Sequence, residues 1–298
     1  MKPVKKKSDG SAGFTIIELM TVMSIIIILM GLLVPALNLV KRYAKRVTQK
    51  NQFHAIAVGL ETFNAEWDGY PPSDALDAEK TPYCGAMKLA EAMIGQDTFG
   101  FHPDSRFVWR YPNRMEDPYY RTYRGDQSSR RRYLQAENAN AHRLDEIYRD
   151  TGVFPRDARG CAFVLCDVYT QNMTTPDGKA VGMPVLYFKA NTSGTEHPYT
   201  DQTGSTIGRV EAPDNIYHYE DNQDLVKLGK PWVPAGREDF RHPLDEYPIL
   251  FYDATLNERV LESSGMGRPY NDDTYILMSG GFDGEYGTQD DVFNFMRQ

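Results

Sequence analysis

An uncharged apolar segment near the N-terminus constrains this chain more than any other feature. Residues 19–40 include no Asp, Glu, Lys or Arg, and at about 1.5 Å per helical residue they span roughly 33 Å, which matches the core of a bilayer. Four lysines stand among the seven residues at the start of the chain. Because positive residues stay on the cytoplasmic side, the segment is predicted to anchor the chain in a membrane with the remainder exported.

The order of small and apolar residues distinguishes this segment from an ordinary secretory signal. Such a signal is cut at small residues that follow its apolar stretch. In this chain Ser11, Ala12 and Gly13 come before the apolar stretch, which is also longer than a typical signal core. A cut after Gly13 would therefore leave the apolar helix on the mature chain.

Glu18 is the one charged residue within residues 14–40. An ionisable side chain in such a segment is costly and usually functional. A cut between Gly13 and Phe14 would create an α-amino group close to Glu18. We therefore hypothesise that Glu18 of one subunit neutralises the amine of its neighbour, so that both charges are tolerated once subunits stack.

Residues 13–19, with the sequence GFTIIEL, resemble the class III signal of type IV pilins and type II secretion pseudopilins. The resemblance implies that a prepilin peptidase removes the leader at residues 1–13, cutting after Gly13, and then methylates Phe14. It also implies that Glu18 is the assembly glutamate of the family. Pro35 falls at the position of the family's helix-kinking proline.

The helical pattern continues beyond the apolar segment. Apolar residues recur at steps of three and four, which is typical of an amphipathic helix; they are Phe53, Ile56, Leu60, Phe63 and Trp67. We predict one helix over residues 14–67, with residues 14–40 in the membrane and the later stripe packed on the chain's own sheet. Residues 68–72 end it with a glycine and two prolines. Gly31 and Pro35 are expected to make the membrane half kink or melt most easily.

Composition disfavours a nucleic-acid partner. The formal net charge is −8, and without the four lysines and one aspartate of residues 1–13 it becomes −11. An acidic surface repels phosphate backbones. Residues 106–132 are rich in arginine, and we interpret them as a solvated loop or as partners of the many acids, in preference to a polyanion site.

No catalytic motif is visible, so the chain is not expected to be an enzyme. The six histidines lack HExxH spacing, and neither a phosphate loop nor a GxSxG turn is present. The rival from another class is a membrane-anchored exported enzyme with its site in the middle of the chain. Three cysteines exclude complete pairing within one chain, although a bond between Cys161 and Cys166 stays open.

The middle of the chain gives weaker patterns. Residues 162–168 and 184–189 are predicted strands, and residues 86–94 and 138–149 are predicted helices. The region 80–240 is longer than a compact major pseudopilin needs. We interpret it as a large, loop-rich insertion displayed on the surface of the filament.

The C-terminal part predicts a metal loop. Strands are expected at residues 247–252 and 274–278, and the second leads into the glycine-rich loop 279–292. Asp283, Asp290 and Asp291 suit a hard cation that takes six to eight oxygens, but their spacing is not that of an EF-hand. A polar hairpin whose aspartates serve only the turns is the alternative.

This loop resembles the calcium loop of the major pseudopilin of type II secretion. The resemblance implies that Asp283, Asp290 and Asp291 are the carboxylate ligands of Ca²⁺ and that nearby backbone carbonyls complete the shell. Since such a loop has little apolar core of its own, metal ligation is expected to order it.

Taken together, these patterns predict an α+β fold in which a long N-terminal helix packs on a small antiparallel sheet within a periplasmic domain, residues 68–298. The expected function is a structural subunit of a type II secretion pseudopilus in the bacterial inner membrane, and the alternatives are a type IV pilus subunit for adhesion, motility or DNA uptake, or a minor pseudopilin. The expected partners are other copies of the chain, prepilin peptidase, the assembly platform, minor pseudopilins and the membrane.

Overall fold

The computed structural model describes residues 15–109, 130–156, 160–170, 180–233 and 236–296. It shows a mixed helical and sheet fold with one long N-terminal helix. In chain order the elements are α1 Ile16–Trp67, α2 Gly85–Ile94, α3 Ala136–Ala139, β1 Ala141–Arg143, α4 Leu144–Ile147, β2 Phe163–Leu165, β3 Leu186–Lys189, β4 Tyr199–Thr200, β5 Thr206–Ile207, α5 Glu220–Val226, α6 Pro243–Glu246, α7 Ile249–Thr255, α8 Glu258–Ser264, β6 Tyr275–Ser279 and β7 Val292–Phe293. Two short 3₁₀ helices cover Pro103–Ser105 and Glu238–Phe240.

The chain divides into two compact units between Ala44 and Lys45. In the N-terminal unit every described residue from Thr15 to Ala44 is exposed. Helix α1 continues without interruption past Pro35. Within the described ranges α1 is the one helix long and apolar enough to cross a bilayer, a property that an N-terminal signal sequence also has.

The second unit is built around a three-stranded antiparallel sheet with the order β3-β6-β7. Leu186 lies opposite Met278, and Met278 lies opposite Phe293 on the next strand. Successive side chains of a strand point to opposite faces, and those of β6 enter two different buried clusters in turn. The sheet is therefore covered on both faces. Two smaller antiparallel ladders, β1-β2 and β4-β5, lie elsewhere in the unit.

The predicted stripe of α1 lies in the cluster on one face of the sheet. Phe53, Ile56, Leu60 and Phe63 are at most 3% exposed and share this cluster with side chains of α2. This part of the stripe is confirmed. Trp67, by contrast, is 41% exposed, and its indole N–H donates to the hydroxyl of Tyr133 at 2.7 Å.

The middle of the chain supplies much of the core. All ten residues of α2 are buried, and β3 is the strand that pairs with β6. Helices α5 and α7 contribute to the cluster on the other face of the sheet, where the rings of Phe188 and Phe251 lie 4.3 Å apart. The described elements within residues 80–240 thus contribute to the core, whereas the sequence pattern predicts an insertion on the surface.

Two predicted elements are wrong. The strand expected at residues 247–252 is helix α7, whose buried residues Phe251, Tyr252 and Thr255 recur at helical spacing. A short apolar run fits a buried helix as well as a strand, so the pattern alone does not separate them. The helix expected at residues 138–149 is interrupted at Asn140, which has a left-handed φ of 42°, and strand β1 follows at once.

The three cysteines, Cys84, Cys161 and Cys166, are buried thiols. The pair Cys161–Cys166 that the sequence leaves open is therefore not a disulfide. Most of the arginine-rich region, residues 110–129, lies outside the described residues, so the interpretation of that region stays a prediction.

Candidate functional site

Glu18 lies in the first turn of α1 and forms a capping box with Thr15. The carboxylate Oε2 of Glu18 accepts from the backbone N–H of Thr15 at 2.9 Å and from its hydroxyl at 2.7 Å. In return the N–H of Glu18 donates to the Thr15 hydroxyl oxygen at 3.3 Å. Such a reciprocal pair satisfies N–H groups that the start of a helix leaves unpaired. Gly13 and Phe14, the predicted processing residues, lie outside the described residues.

This capping role was missed, although the sequence carries its signal. Thr15 and Glu18 are three residues apart at the start of an apolar run, which is the usual pattern of a capping box. From the sequence, Glu18 is interpreted only as a charge in need of a partner. Within one chain its carboxylate already has two donors.

The C-terminal loop connects β6 to β7 and turns at several glycines. Gly281 has a φ of +66°, and a Cβ built on it would lie 2.2 Å from the carbonyl oxygen of Asp290. Gly287 has a φ of +91°, and a Cβ there would lie 2.8 Å from the backbone nitrogen of Leu244. Because only glycine fits both the φ and the space, these two positions fix the course of the loop.

Asp290 and Asp283 converge inside this loop. Asp290 accepts from the backbone N–H groups of Phe282 at 2.8 Å and Asp283 at 3.1 Å, and from the hydroxyl of Thr288 at 2.7 Å. The carboxyl groups of Asp283 and Asp290 also hydrogen-bond to each other. A negative charge on one of the two carboxyl groups therefore disfavours a negative charge on the other.

The pKa values of the two groups move apart. Partial burial and the neighbouring Asp290 raise the pKa of Asp283. Burial also opposes the charge on Asp290, but hydrogen bonds from Thr288 and Asp283 outweigh it and lower the pKa of Asp290. Asp283 is therefore the partner that takes up a proton first as the pH falls.

Asp291 has different contacts from those of the other two aspartates. Its Oδ2 accepts from the backbone N–H groups of Gly287 at 2.9 Å and Thr288 at 3.1 Å, and the residue is 5% exposed. It thus stabilises the turn. In the parts of the chain that the structure describes, no three His, Cys, Asp or Glu side chains form a group that could hold a metal.

The donor set fits a hard cation through two carboxylates. Two neighbouring carboxylates offer oxygens to a divalent cation, and the charge of the cation would offset their mutual repulsion. Asp283 and Asp290 meet this condition, and the hydrogen bonds of Asp291 give it the role of holding the turn between them.

Protein contacts also dock the loop, in addition to any ligation. Tyr286 is fully buried; its hydroxyl donates to the carbonyl of Pro184, and its N–H donates to Nδ1 of His242 at 3.3 Å. Beside it, Lys230 and Glu285 form an ion pair of 2.7 Å. A buried tyrosine thus holds this loop in addition to the metal ligation that the sequence predicts.

Two buried carboxyl groups were not singled out from the sequence. Burial raises the pKa of Asp167 and of Asp221 to about 7 in each case. Asp167 follows the apolar residues of β2, and a charge in such a run is a signal that sequence reasoning could have used. Asp221 accepts a hydrogen bond from the hydroxyl of Ser73, and its position after a polar stretch gave no comparable signal.

Ser73 and Asp221 line a polar cleft of about 690 Å³ at the end of the central sheet, together with Lys189, His218 and Asp273. This cleft is the place where the rival hypothesis of an exported enzyme would have to be tested. Comparison of the chain with protein-family models, with curated proteins and with solved structures found no match.

Proposed function

We propose that this chain is a structural subunit of a type II secretion pseudopilus, made as a precursor and polymerised into a periplasmic filament. One observation carries the proposal: α1 has an apolar first part that the folded chain leaves exposed and a second part whose stripe lies in the core. An uninterrupted apolar surface of this length has to be covered by lipid or by other copies. A single helix thus suits both an anchor in the inner membrane and a filament core.

The start of α1 supports the same proposal. Glu18 keeps a carboxylate among exposed apolar residues, where it is costly unless a partner appears. Processing by a prepilin peptidase after Gly13 would place the new amine of Phe14 next to this turn. The amine of one subunit and Glu18 of the next would then form an ion pair that stabilises the stacked subunits.

The C-terminal loop supports a calcium-binding subunit. Asp283 and Asp290 would hold the ion, and Asp291 would keep the turn that presents them. When bound, Ca²⁺ would neutralise the two carboxylates and cross-link the two ends of the loop. The chain's own contribution is the backbone geometry set by its glycines and the anchoring of Tyr286.

The proposal includes no chemistry by the chain itself. Its partners are other copies, the prepilin peptidase, the assembly platform, minor pseudopilins and the membrane, and its domain after α1 lies in the periplasm. A type IV pilus subunit would use the same helix, and a long surface filament made without a secretion system would favour that alternative.

Filament assembly tests the proposal. The chain is expressed with a prepilin peptidase and an assembly platform, and sheared material is collected by ultracentrifugation. Subunit in the filament pellet is expected only when both partners are present. A chain that stays in the membrane fraction under all conditions would contradict the proposal and leave a simple membrane anchor.

A further inference from the structure

A fully buried carboxylate joins three separate segments of the second unit. Asp167 is 0% exposed. Its Oδ1 accepts from the backbone N–H groups of Tyr169 at 3.0 Å and Met183 at 3.1 Å, and its Oδ2 accepts from the hydroxyl of Ser279 at 2.7 Å. Hydrogen bonds to a charged acceptor in a dry site are stronger than neutral ones.

Ser279 connects Asp167 to the C-terminal loop. Ser279 is the last residue of β6 and is also 0% exposed. Its hydroxyl oxygen accepts from the N–H of Gly281 at 3.2 Å. The turn that brings Asp283 toward Asp290 therefore starts from a residue that Asp167 holds.

On the helix side, two glutamines of α1 bind the residues on either side of Asp167. The side-chain amide of Gln52 donates to the carbonyl of Cys166 at 2.8 Å, and Oε1 of Gln49 accepts from the N–H of Val168 at 2.9 Å. Gln49 is 0% and Gln52 is 9% exposed. Residues three apart share one face of a helix, so both amides reach the same segment.

We propose that Asp167 couples the C-terminal loop to α1, so that the loop and the helix around Gln49 open and close as one cooperative unit. The path consists of Gln49 and Gln52, the segment 166–169, Asp167 and Ser279. A cation or a neighbouring subunit that stabilises the loop then also stabilises the helix. By reciprocity, a contact that stabilises the helix also stabilises the loop. The meaning for a filament rests on the proposed function, but the coupling itself does not.

Asp167 acts as a positioning residue in this coupling, and a merely local role predicts a different result. If the carboxylate only satisfied nearby N–H groups, weakening one end of the path would loosen that end alone. Coupling predicts that each end responds when the other is cut. Hydrogen exchange followed peptide by peptide separates these two cases.

The experiment measures amide exchange by mass spectrometry on the full-length chain in detergent, without added calcium and without filament. Ser279→Ala cuts the path at the loop and is expected to speed exchange in residues 45–56 about tenfold, which is the effect of losing one buried hydrogen bond. Gln49→Ala cuts it at the helix and is expected to speed exchange in residues 276–291 by a similar factor. Asp167→Asn keeps acceptors for Tyr169 and Met183 and offers its amide to Ser279, so the path stays connected and exchange at its two ends is expected to change by the same factor; a change at one end alone would contradict the coupling.

Thr255→Ala is the matched control, since it also removes a fully buried hydroxyl, one that is bonded only within α7. This variant is expected to leave amide exchange unchanged both in residues 45–56 and in residues 276–291. If Ser279→Ala speeds only the loop, or Gln49→Ala speeds only the helix, the coupling is wrong. Either variant decides alone if the other fails to fold, and since no cation or assembly is involved, the result is independent of whether the proposed function holds.

Discussion

Glu18 can serve α1 in two ways that need different chemistry. As the N3 residue of a capping box it needs an acceptor oxygen for the N–H and hydroxyl of Thr15. As the partner of a neighbouring subunit's amine it needs a negative charge. Glutamine supplies the acceptor without the charge, so substitution can separate the two roles.

Glu18→Gln is expected to leave the first turn of α1 intact and to abolish the filament pellet, because the amine of the next subunit would be buried without a counter-charge. Thr15→Val removes the hydroxyl half of the capping box and is expected to reduce helix stability by about 1 kcal/mol while assembly continues. Sheared filament and membrane fractions are compared by immunoblot. Assembly of Glu18→Gln at the wild-type level would mean that Glu18 is only a cap.

Asp290 and Asp291 give a matched pair for the calcium site. Asp290→Ala is expected to remove the rise in melting temperature that calcium causes, because Asp283 would then be the one carboxylate of the pair left to bind the ion. At a calcium concentration a hundredfold above Kd that rise corresponds to about 2.7 kcal/mol. Asp291→Asn weakens the turn that Oδ2 holds, so its melting temperature should fall while the calcium response remains.

Thermal melting of the full-length chain in detergent, with calcium or with chelator, measures both variants. A calcium response that Asp291→Asn abolishes and Asp290→Ala preserves would reverse the roles of these two aspartates. If calcium does not raise the melting temperature of the wild type, the loop is a docked hairpin without a calcium site.

At the scale of elements, the sequence was most informative about α1. The structure starts it at Ile16 and ends it at Trp67, against a prediction of 14–67, because a long periodic stripe and a Gly-Pro stop are local signals. Helix α2 and strands β2, β3 and β6 were also found within a few residues of their predicted positions. Helix α7 was missed because its short apolar run has no decisive period.

The stripe of α1 gives a prediction about packing. Leu60→Ala is expected to destabilise the second unit by about 2–5 kcal/mol, since Leu60 is 0% exposed and its removal leaves a cavity. Val58→Ala, two residues away and 54% exposed, should change the free energy of unfolding by less than about 0.5 kcal/mol. Chemical denaturation of both variants measures the difference, and equal effects would show that this half of α1 does not form the core.

The candidate site was only partly predictable from the sequence. The glycines and aspartates of the loop could be identified because they are local in sequence. The burial of Tyr286 against Pro184 and the hydrogen bond from Ser279 to Asp167 join residues about a hundred positions apart. Contacts of this kind depend on the packing of the middle region, which the sequence did not predict.

At the scale of the whole molecule, the described elements of the middle region differ most from the sequence-based prediction, because they lie in the core. A small sheet with one helix on one face leaves the other face in need of cover, and α5 and α7 with Phe188 and Phe251 provide it. Length and loop-rich composition suggested a surface insertion because the buried residues are spread over many short elements.

The pH dependence of stability follows from four buried groups. Burial raises the pKa of Asp167 and Asp221 to about 7, and it lowers the pKa of His197 to about 4 and of His242 to about 3. Because the pKa of these two carboxyl groups is higher in the folded than in the unfolded state, they stabilise the fold below the unfolded pKa near 4. This stabilisation is lost as the pH rises to 7. Because the pKa of the two histidines is lower in the folded than in the unfolded state, they stabilise the fold above pH 6.5. This stabilisation is lost as the pH falls. The two trends oppose each other between pH 4 and 6.5.

Asp167→Asn is expected to remove one of the carboxyl contributions. Relative to the wild type, the variant should gain up to about 4 kcal/mol between pH 4 and pH 8, the equivalent of a shift of about three pKa units. Denaturant unfolding across this range measures it. Curves that run parallel for the variant and the wild type would show that Asp167 titrates at the same pH in both states.

The central claim is that α1 belongs to a processed subunit whose apolar half stays on the mature chain, and intact-mass analysis tests it most directly. The chain is purified from membranes of cells that contain a prepilin peptidase, and its N-terminus is determined by mass. We expect a mature protein that begins at methylated Phe14. A mature chain that begins after residue 35 would contradict it, because the helix proposed to build the filament would then have been discarded as a signal.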